Sequence, residues 1–240
     1  LATLPHWLAA LAGIRVGRLI DHTLLKPEAT ESDILRLCDE AVELGLGAVC
    51  VNGQWVSRAA RHLAGTDVLI VGVVGFPLGA CGQAAKVEEA RQLHGAGAAE
   101  LDMVQSLGWA RAGEWELVQD EIAAVVEAVP GCRVKVILET AALSPGELEP
   151  ACQAARRAGA AFVKTSTGFH PSGGATETAV SALRRVVGND LGVKASGGVR
   201  TEGAAIQMLR AGASRIGSSA AAGWTRLVGS RGPTVAEALA

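Results

Sequence analysis

The 240-residue chain has no tyrosine, three phenylalanines and two methionines, and aromatic residues make up only 3% of it. It lacks the aromatic–basic clusters that stack on nucleic-acid bases. It also lacks charge of one sign: Lys+Arg 22 against Asp+Glu 24 gives a formal net charge of −2. A chain so balanced is not drawn to a polyanion or to an anionic membrane surface. No apolar run approaches the roughly 18 residues of a membrane helix. The five cysteines (Cys38, Cys50, Cys81, Cys132, Cys152) are odd in number, widely spaced and form no C-x-x-C pair. Neither a disulfide framework nor a zinc site is expected from them. These absences point to a reduced, soluble, cytoplasmic protein. Near the start, the apolar stretch 7–14 lacks a cationic leader, and Arg15 and Arg18 follow it. It reads as a short helix packed across the domain, not as a signal peptide.

What is present is a regular alternation. Short β-branched or apolar runs fall at 19–23, 48–52, 68–76, 99–104, 133–139, 161–166, 192–196 and 214–218. Between them lie Ala/Leu/Glu/Arg-rich stretches of helical length, such as 32–44, 84–94, 115–128 and 201–211. Thr30 or Ser32, Ser144 with Glu147, and Thr201 suit helix starts. Gly45, Gly95, Gly159 and Gly212 suit helix stops. Four of these junctions read alike, as ELGLGAVCV, QLHGAGAAELDMV, RRAGAAFVKTS and MLRAGASRIGSS. Each is a helix end, a Gly/Ala turn and a buried strand, which predicts parallel strands covered by helices. Eight strands in a chain near 250 residues match a (β/α)8 TIM barrel with an additional N-terminal helix. The expected organisation is one domain over 1–240, with 1–18 as the helical extension. An open doubly wound sheet is the competing architecture. Against it, no G-x-G-x-x-G or Walker loop follows a strand, and Gly45-x-Gly47 and Gly95-x-Gly97 precede strands.

The lysines carry the chemistry. Only five of the 22 basic residues are lysines, and three of those five (Lys135, Lys164, Lys194) lie within strand runs. If Val163 and Val193 pack outward, strand alternation turns Lys164 and Lys194 into the barrel. An amine can deprotonate and attack a carbonyl, which a guanidinium cannot. Two lysines on adjacent strands in a mostly apolar interior repel, and with desolvation this lowers the pKa of one. The competing reading makes each a core residue neutralised by Asp or Glu; two neighbours beside a phosphate-type loop favour Schiff-base chemistry. Lys135 reads as a structural ion pair. Asp102 is a salt-bridge partner, a proton shuttle, or both. Asp21 is a weaker member of the same network, and His22 is structural. Cys50 and Thr165 are expected to line the pocket.

The last two strand ends look like a phosphate site. Gly197 and Gly198 follow Lys194, while Gly217, Ser218 and Ser219 are expected to open a helix of small residues, AAAGW. Backbone N–H groups at such a turn hold a dianion. A further turn ending at Gly168 would close the pocket from the other side. His-x-x-x-His and G-x-S-x-G are absent, and neither metal nor cofactor is expected.

The segments L-I-D-H-T-L-L-K-P-E-A-T, G-F-P-L-G (75–79), E-L-D-M-V (100–104), F-V-K-T-S-T-G-F (162–169), V-K-A-S-G-G-V-R (193–200) and R-I-G-S-S (215–219) occur in that order. Together they resemble the deoxyribose-phosphate aldolase family over most of the chain. The resemblance implies a metal-independent class I aldolase (a lyase) that splits 2-deoxy-D-ribose 5-phosphate reversibly into acetaldehyde and D-glyceraldehyde 3-phosphate. It implies Lys164 as the Schiff-base nucleophile, Lys194 as the lysine that tunes it, and Asp102 as the proton-transfer carboxylate. The turns at 197–198 and 217–219 match the family's phosphate cradle. The resemblance further implies a cytoplasmic homodimer or homotetramer in deoxyribonucleotide catabolism, with no nucleic-acid or membrane partner. The expected step uses the iminium as an electron sink while the sugar's C3–C4 bond breaks. Two departures stand out. Some members use a C-terminal tyrosine in proton transfer, and some carry a phosphate-binding lysine soon after T-S-T-G, where this chain has Phe169-His170-Pro171. An isomerase using Asp102 as sole base and a non-catalytic sugar-phosphate sensor are the rival functions; the first leaves two inward lysines unexplained.

Overall fold

The four similar junctions fold into one hydrogen-bonding device. In the computed structural model, which describes residues 6–240, the N–H groups of Leu46, Ala98, Ala160 and Ala213 donate to the carbonyls of Ala41, Leu93, Ala155 and Met208 at 2.9, 3.0, 3.1 and 3.0 Å. The residue before each donor is a glycine with positive φ: Gly45, Gly97, Gly159 and Gly212. This is the Schellman closure, which satisfies a late helix carbonyl and turns the chain into the next strand. One stop is displaced from its expected place. The helix after the third strand runs through Gly95, so Gly97 takes the left-handed conformation.

Eight strands result: β1 (Ile20–Leu24), β2 (Ala48–Val51), β3 (Leu69–Val74), β4 (Glu100–Val104), β5 (Arg133–Ile137), β6 (Phe162–Lys164), β7 (Gly192–Ser196) and β8 (Arg215–Ser218). All pair in parallel, and β8 pairs with β1, so the sheet closes into a barrel and the open-sheet alternative is excluded. A short α1 (His6–Ala9) precedes the barrel. Around it follow α2 (Glu31–Glu43), α3 (Val56–His62), α4 (Gln83–Gly95), α5 (Leu107–Ala112), α6 (Trp115–Ala128), α7 (Pro145–Arg157), α8 (Glu177–Val187), α9 (Glu202–Ala211) and α10 (Val235–Leu239). Thr30 with Asp33 and Ser144 with Glu147 form capping boxes on α2 and α7, while Thr176 and Thr201 cap α8 and α9.

The expected helical extension over 1–18 is reduced. Among the described residues it contains the single turn of α1 and a 3-10 turn at Val16–Leu19; residues 1–5 lie outside them. The backbone between the turns is used otherwise. Val16 N–H donates to the Pro233 carbonyl at 2.9 Å, and Val235 N–H donates to the Ile14 carbonyl at 2.8 Å. Extended pairing with the C-terminal segment replaces helix there.

The core has two separate parts. The larger fills the space between barrel and helices and holds Val49, Val134, Val163, Val193 and Ile216 from the outward strand faces. The smaller lies inside the barrel, where Ala48, Cys50, Val71 and Val73 pack with Leu25. The rest of the interior is mixed: Ile137 on β5 and Phe162 on β6 share the inward face with Lys135 and Lys164, so the expected mostly apolar tube holds a charged cluster among apolar side chains. No described helix is long and apolar enough to cross a membrane.

Candidate active site

The register of β6 and β7 sets Lys164 directly beside Lys194, with Val163 and Val193 turned outward. Both amines reach one atom: Lys164 Nζ and Lys194 Nζ each donate to Asp102 Oδ2 at 2.7 Å. Lys194 also pairs with Asp21. Below them, Lys135 Nζ donates to Asp102 Oδ1 at 2.8 Å and lies 2.7 Å from Glu100 Oε2, the ion-pair role expected of it. Arg215 Nη1 donates to Asp21 Oδ1 at 2.7 Å, and its terminal nitrogens meet Glu100 at 3.2 and 3.3 Å. His22 lies outside this network and bonds Glu40 at 2.7 Å, a structural role.

Burial and charge then separate the two lysines. Burial disfavours the Lys164 ammonium, Asp102 favours it, and the Lys194 charge opposes it; the net result is a pKa below the usual lysine value. Lys194 is buried equally, but Asp102 and Asp21 outweigh that cost and hold its pKa above the usual value. Burial works against the Asp102 carboxylate too, yet Lys135, Lys164 and Lys194 keep its pKa well below the usual carboxylate range. This gives an anion, a firm cation, and one amine that gives up its proton more readily than an ordinary lysine.

A cavity of about 210 Å³ opens above Lys164. Its wall includes Thr167, Gly168, Ser196, Gly197, Gly198, Gly217, Ser218 and Ser219, which brings together the expected glycine and serine turns. Close backbone approach explains one of the glycines: a Cβ on Gly197 would lie 3.1 Å from Gly174 Cα and 3.3 Å from Gly168 Cα. Gly217 has a different role. A Cβ there would lie 3.0 Å from Ser196 Cβ and 3.1 Å from Lys194 Cε, so its bareness makes room for the second lysine.

Three expectations need correcting. The helix expected after β8 is a single 3-10 turn at Ala221–Gly223. Trp224 is buried, and its indole N–H donates to the Arg200 carbonyl at 3.2 Å, drawing the chain inward before a helix can form. Ser218 Oγ donates to the Val199 carbonyl at 2.7 Å and accepts from Ala220 N–H at 3.0 Å, so it braces the turn. Thr165 does not reach the cavity: its hydroxyl donates to the Ser196 carbonyl at 2.9 Å and ties β6 to β7. Cys50 is buried in the lumen below the cavity, and burial pushes its thiol up to about 11.

Other wall residues escaped the sequence reading. Lys26 and Arg200 bring cationic side chains to the cavity, yet in sequence they look like ordinary surface charges just past strand ends. Glu139 is the one described non-glycine residue with positive φ, at 56°. Its buried carboxylate accepts from the Thr167 hydroxyl at 2.6 Å and from the Thr167 N–H at 3.2 Å. It thereby pins the turn after Lys164. Among the described residues no group of three or more His, Cys, Asp or Glu side chains is arranged to hold a metal ion.

The DeoC/LacD family aldolase pattern matches residues 16–227. A deoxyribose-phosphate aldolase of Aciduliprofundum boonei is 52% identical over 206 residues, covering 85% of this chain and 92% of that protein. One from Histophilus somni is 48% identical over 204 residues, covering 85% and 91%. The structure of the tetrameric deoxyribose phosphate aldolase of Aeropyrum pernix superposes with a TM-score of 0.81 at 35% identity, covering 86% of this chain and 87% of that one. The sequence, the closed barrel and the paired lysines agree: the chain belongs to the DeoC/LacD family of aldolases.

Proposed function

We propose that this barrel is a class I aldolase that reversibly cleaves 2-deoxy-D-ribose 5-phosphate to acetaldehyde and D-glyceraldehyde 3-phosphate through an imine on Lys164. The observation that carries the reading is the pair of lysines sharing Asp102 Oδ2 at the floor of the cavity. Lys164 attacks the C1 aldehyde, water leaves, and an iminium forms. Carbon count moves the scission from C3–C4 to C2–C3, because acetaldehyde takes C1 and C2. As the C3 hydroxyl loses its proton, the C2–C3 electron pair flows toward the iminium nitrogen and leaves an enamine. C3 becomes the aldehyde of the three-carbon product. Protonation of the enamine at C2 and hydrolysis then release acetaldehyde and restore the amine. Asp102, through water and with Lys194, moves these protons. The backbone N–H groups around Gly168, 197–198 and 217–219, with the Ser219 hydroxyl, hold the phosphate; Lys26 and Arg200 supply opposing charge at the mouth.

The same reading makes the whole chain one catalytic barrel that works in the cytoplasm as a homodimer or homotetramer, without metal. The tetramer of the A. pernix relative supports assembly. Lys164→Arg keeps a cation at the site and removes the nucleophile. We expect it to lose acetaldehyde release by at least about a thousandfold while its circular dichroism stays that of a folded barrel. Ordinary turnover by this variant would overturn the reading.

A further inference from the structure

The buried charges of the lumen do not balance. Three carboxylates, Asp21, Glu100 and Asp102, face four basic side chains, Lys135, Lys164, Lys194 and Arg215, all of them buried. If every group is ionised, one positive charge is left over among side chains that have little or no contact with solvent. The cheapest remedy is loss of one proton. Arg215 cannot provide it, since a guanidinium stays protonated. Lys194 is bonded to Asp21 and Asp102, and Lys135 to Glu100 and Asp102. Lys164 has Asp102 alone and is the amine that borders the cavity.

Other groups near the cluster leave this count unchanged. Cys50 on β2 is an uncharged thiol at neutral pH, with its pKa pushed up to about 11 by burial. Leu69, Val71 and Val73 on β3 are apolar. Glu139, two residues past β5, is given over to Thr167 and forms no ion pair among the described residues. Arg133 touches Glu100 at 2.7 Å, but its side chain is 49% exposed at the rim and screened by water. Lys26 and Arg200 at the cavity mouth are exposed to solvent as well.

We propose that Arg215 is a positioning residue for the reaction: its fixed charge, wedged between Asp21 and Glu100, is the surplus that makes a bare amine at Lys164 the balanced state of the lumen. Arg215 reaches neither the cavity nor Lys164. It acts by occupying carboxylate charge that the lysines would otherwise share, and its guanidinium lies 5.6 Å from the Phe162 ring, held in place between strands. The inference rests on the Schiff-base reading above.

Its test is the pH dependence of imine formation, followed by trapping acetaldehyde on the protein with cyanoborohydride and mapping the labelled peptide. Acetaldehyde carries no phosphate, so no substrate group titrates in the window. Arg215→Gln removes the surplus and is expected to move the midpoint for Lys164 labelling up by about one pH unit, a tenfold loss of neutral amine at fixed pH below it. Glu100→Gln enlarges the surplus and is expected to move the midpoint down. The double variant restores the surplus of one and is expected to return toward the unsubstituted protein, while Arg215→Lys leaves the midpoint in place. A merely structural role would lower labelling in all variants without opposite shifts and without recovery in the double variant. An unmoved or lowered midpoint in Arg215→Gln, or no recovery in the double variant, overturns the proposal. If one single variant does not fold, the other and the double variant still decide. No adduct on Lys164 in the unsubstituted protein would instead overturn the Schiff-base reading, and this inference with it.

Discussion

Asp102 has two oxygens, and their division of labour governs the site. Oδ1 is held from below by Lys135, while Oδ2 accepts from Lys164 and Lys194 together. Removing the carboxylate would leave buried cations without their shared partner, a loss of about 3–5 kcal/mol for a broken buried pair. On the proposed mechanism it would also remove the proton relay. Lys164 needs the opposite treatment there, because the form that attacks the carbonyl is neutral. Its pKa lies below 10.5, so the neutral fraction, and with it kcat/KM, is expected to rise with pH through a midpoint below that value. A pH–rate profile checks this. A profile that climbs only above the ordinary lysine range would contradict the depressed amine. Sequence alternation was enough to pair Lys164 with Lys194, because valines mark the outward face of both strands. Arg215 and Glu100 were not legible in the same way, since their meeting depends on how eight registers accumulate around a closed barrel.

At the scale of elements, the loops that follow the strands are built to approach each other closely. Gly217 sits in β8 where Lys194 must pass, with Lys194 Cε 3.1 Å from any Cβ placed there. Gly217→Ala is therefore expected to push Lys194 off Asp102 and lower kcat by about ten- to a hundredfold, while the far-ultraviolet circular dichroism is unchanged. Turnover equal to that of the unsubstituted protein would remove this role from Gly217. Helix ends were the easiest elements to read, since a cap or a Schellman glycine is a local arrangement of a few residues. The segment AAAGW was misleading for the converse reason. Its composition suits a helix, but Trp224 is drawn into the core by contacts with a distant loop. Lys26 and Arg200 were missed because nothing local distinguishes a cation at a cavity mouth from one on the surface.

The molecule concentrates buried charge inside the barrel, which shapes its response to pH. Asp21 and Asp102 have folded pKa values below their unfolded value of 3.8, despite burial, because of the surrounding cations. A depressed carboxylate contributes stability that is fully present above the unfolded pKa and is lost as pH falls through the folded one. Lys194, with a raised pKa, contributes stability present below 10.5 and lost as pH rises through its higher folded value. Urea unfolding is therefore expected to show these contributions intact from about pH 5 to 8, with midpoints falling only below about pH 4. The barrel itself was legible from the eightfold alternation, and the closing β8–β1 contact follows from it. The pairing of residues 14–16 with 233–236 was not legible, because it joins segments at opposite ends of the chain.

The central claim is that Lys164 is the amine that bonds to substrate. Borohydride reduction in the presence of 2-deoxy-D-ribose 5-phosphate, followed by digestion and mass mapping, tests it most directly. The predicted result is one reduced adduct on the peptide carrying Lys164, and none in Lys164→Arg. Labelling on Lys194 or elsewhere, or an active preparation with no adduct at all, would contradict it.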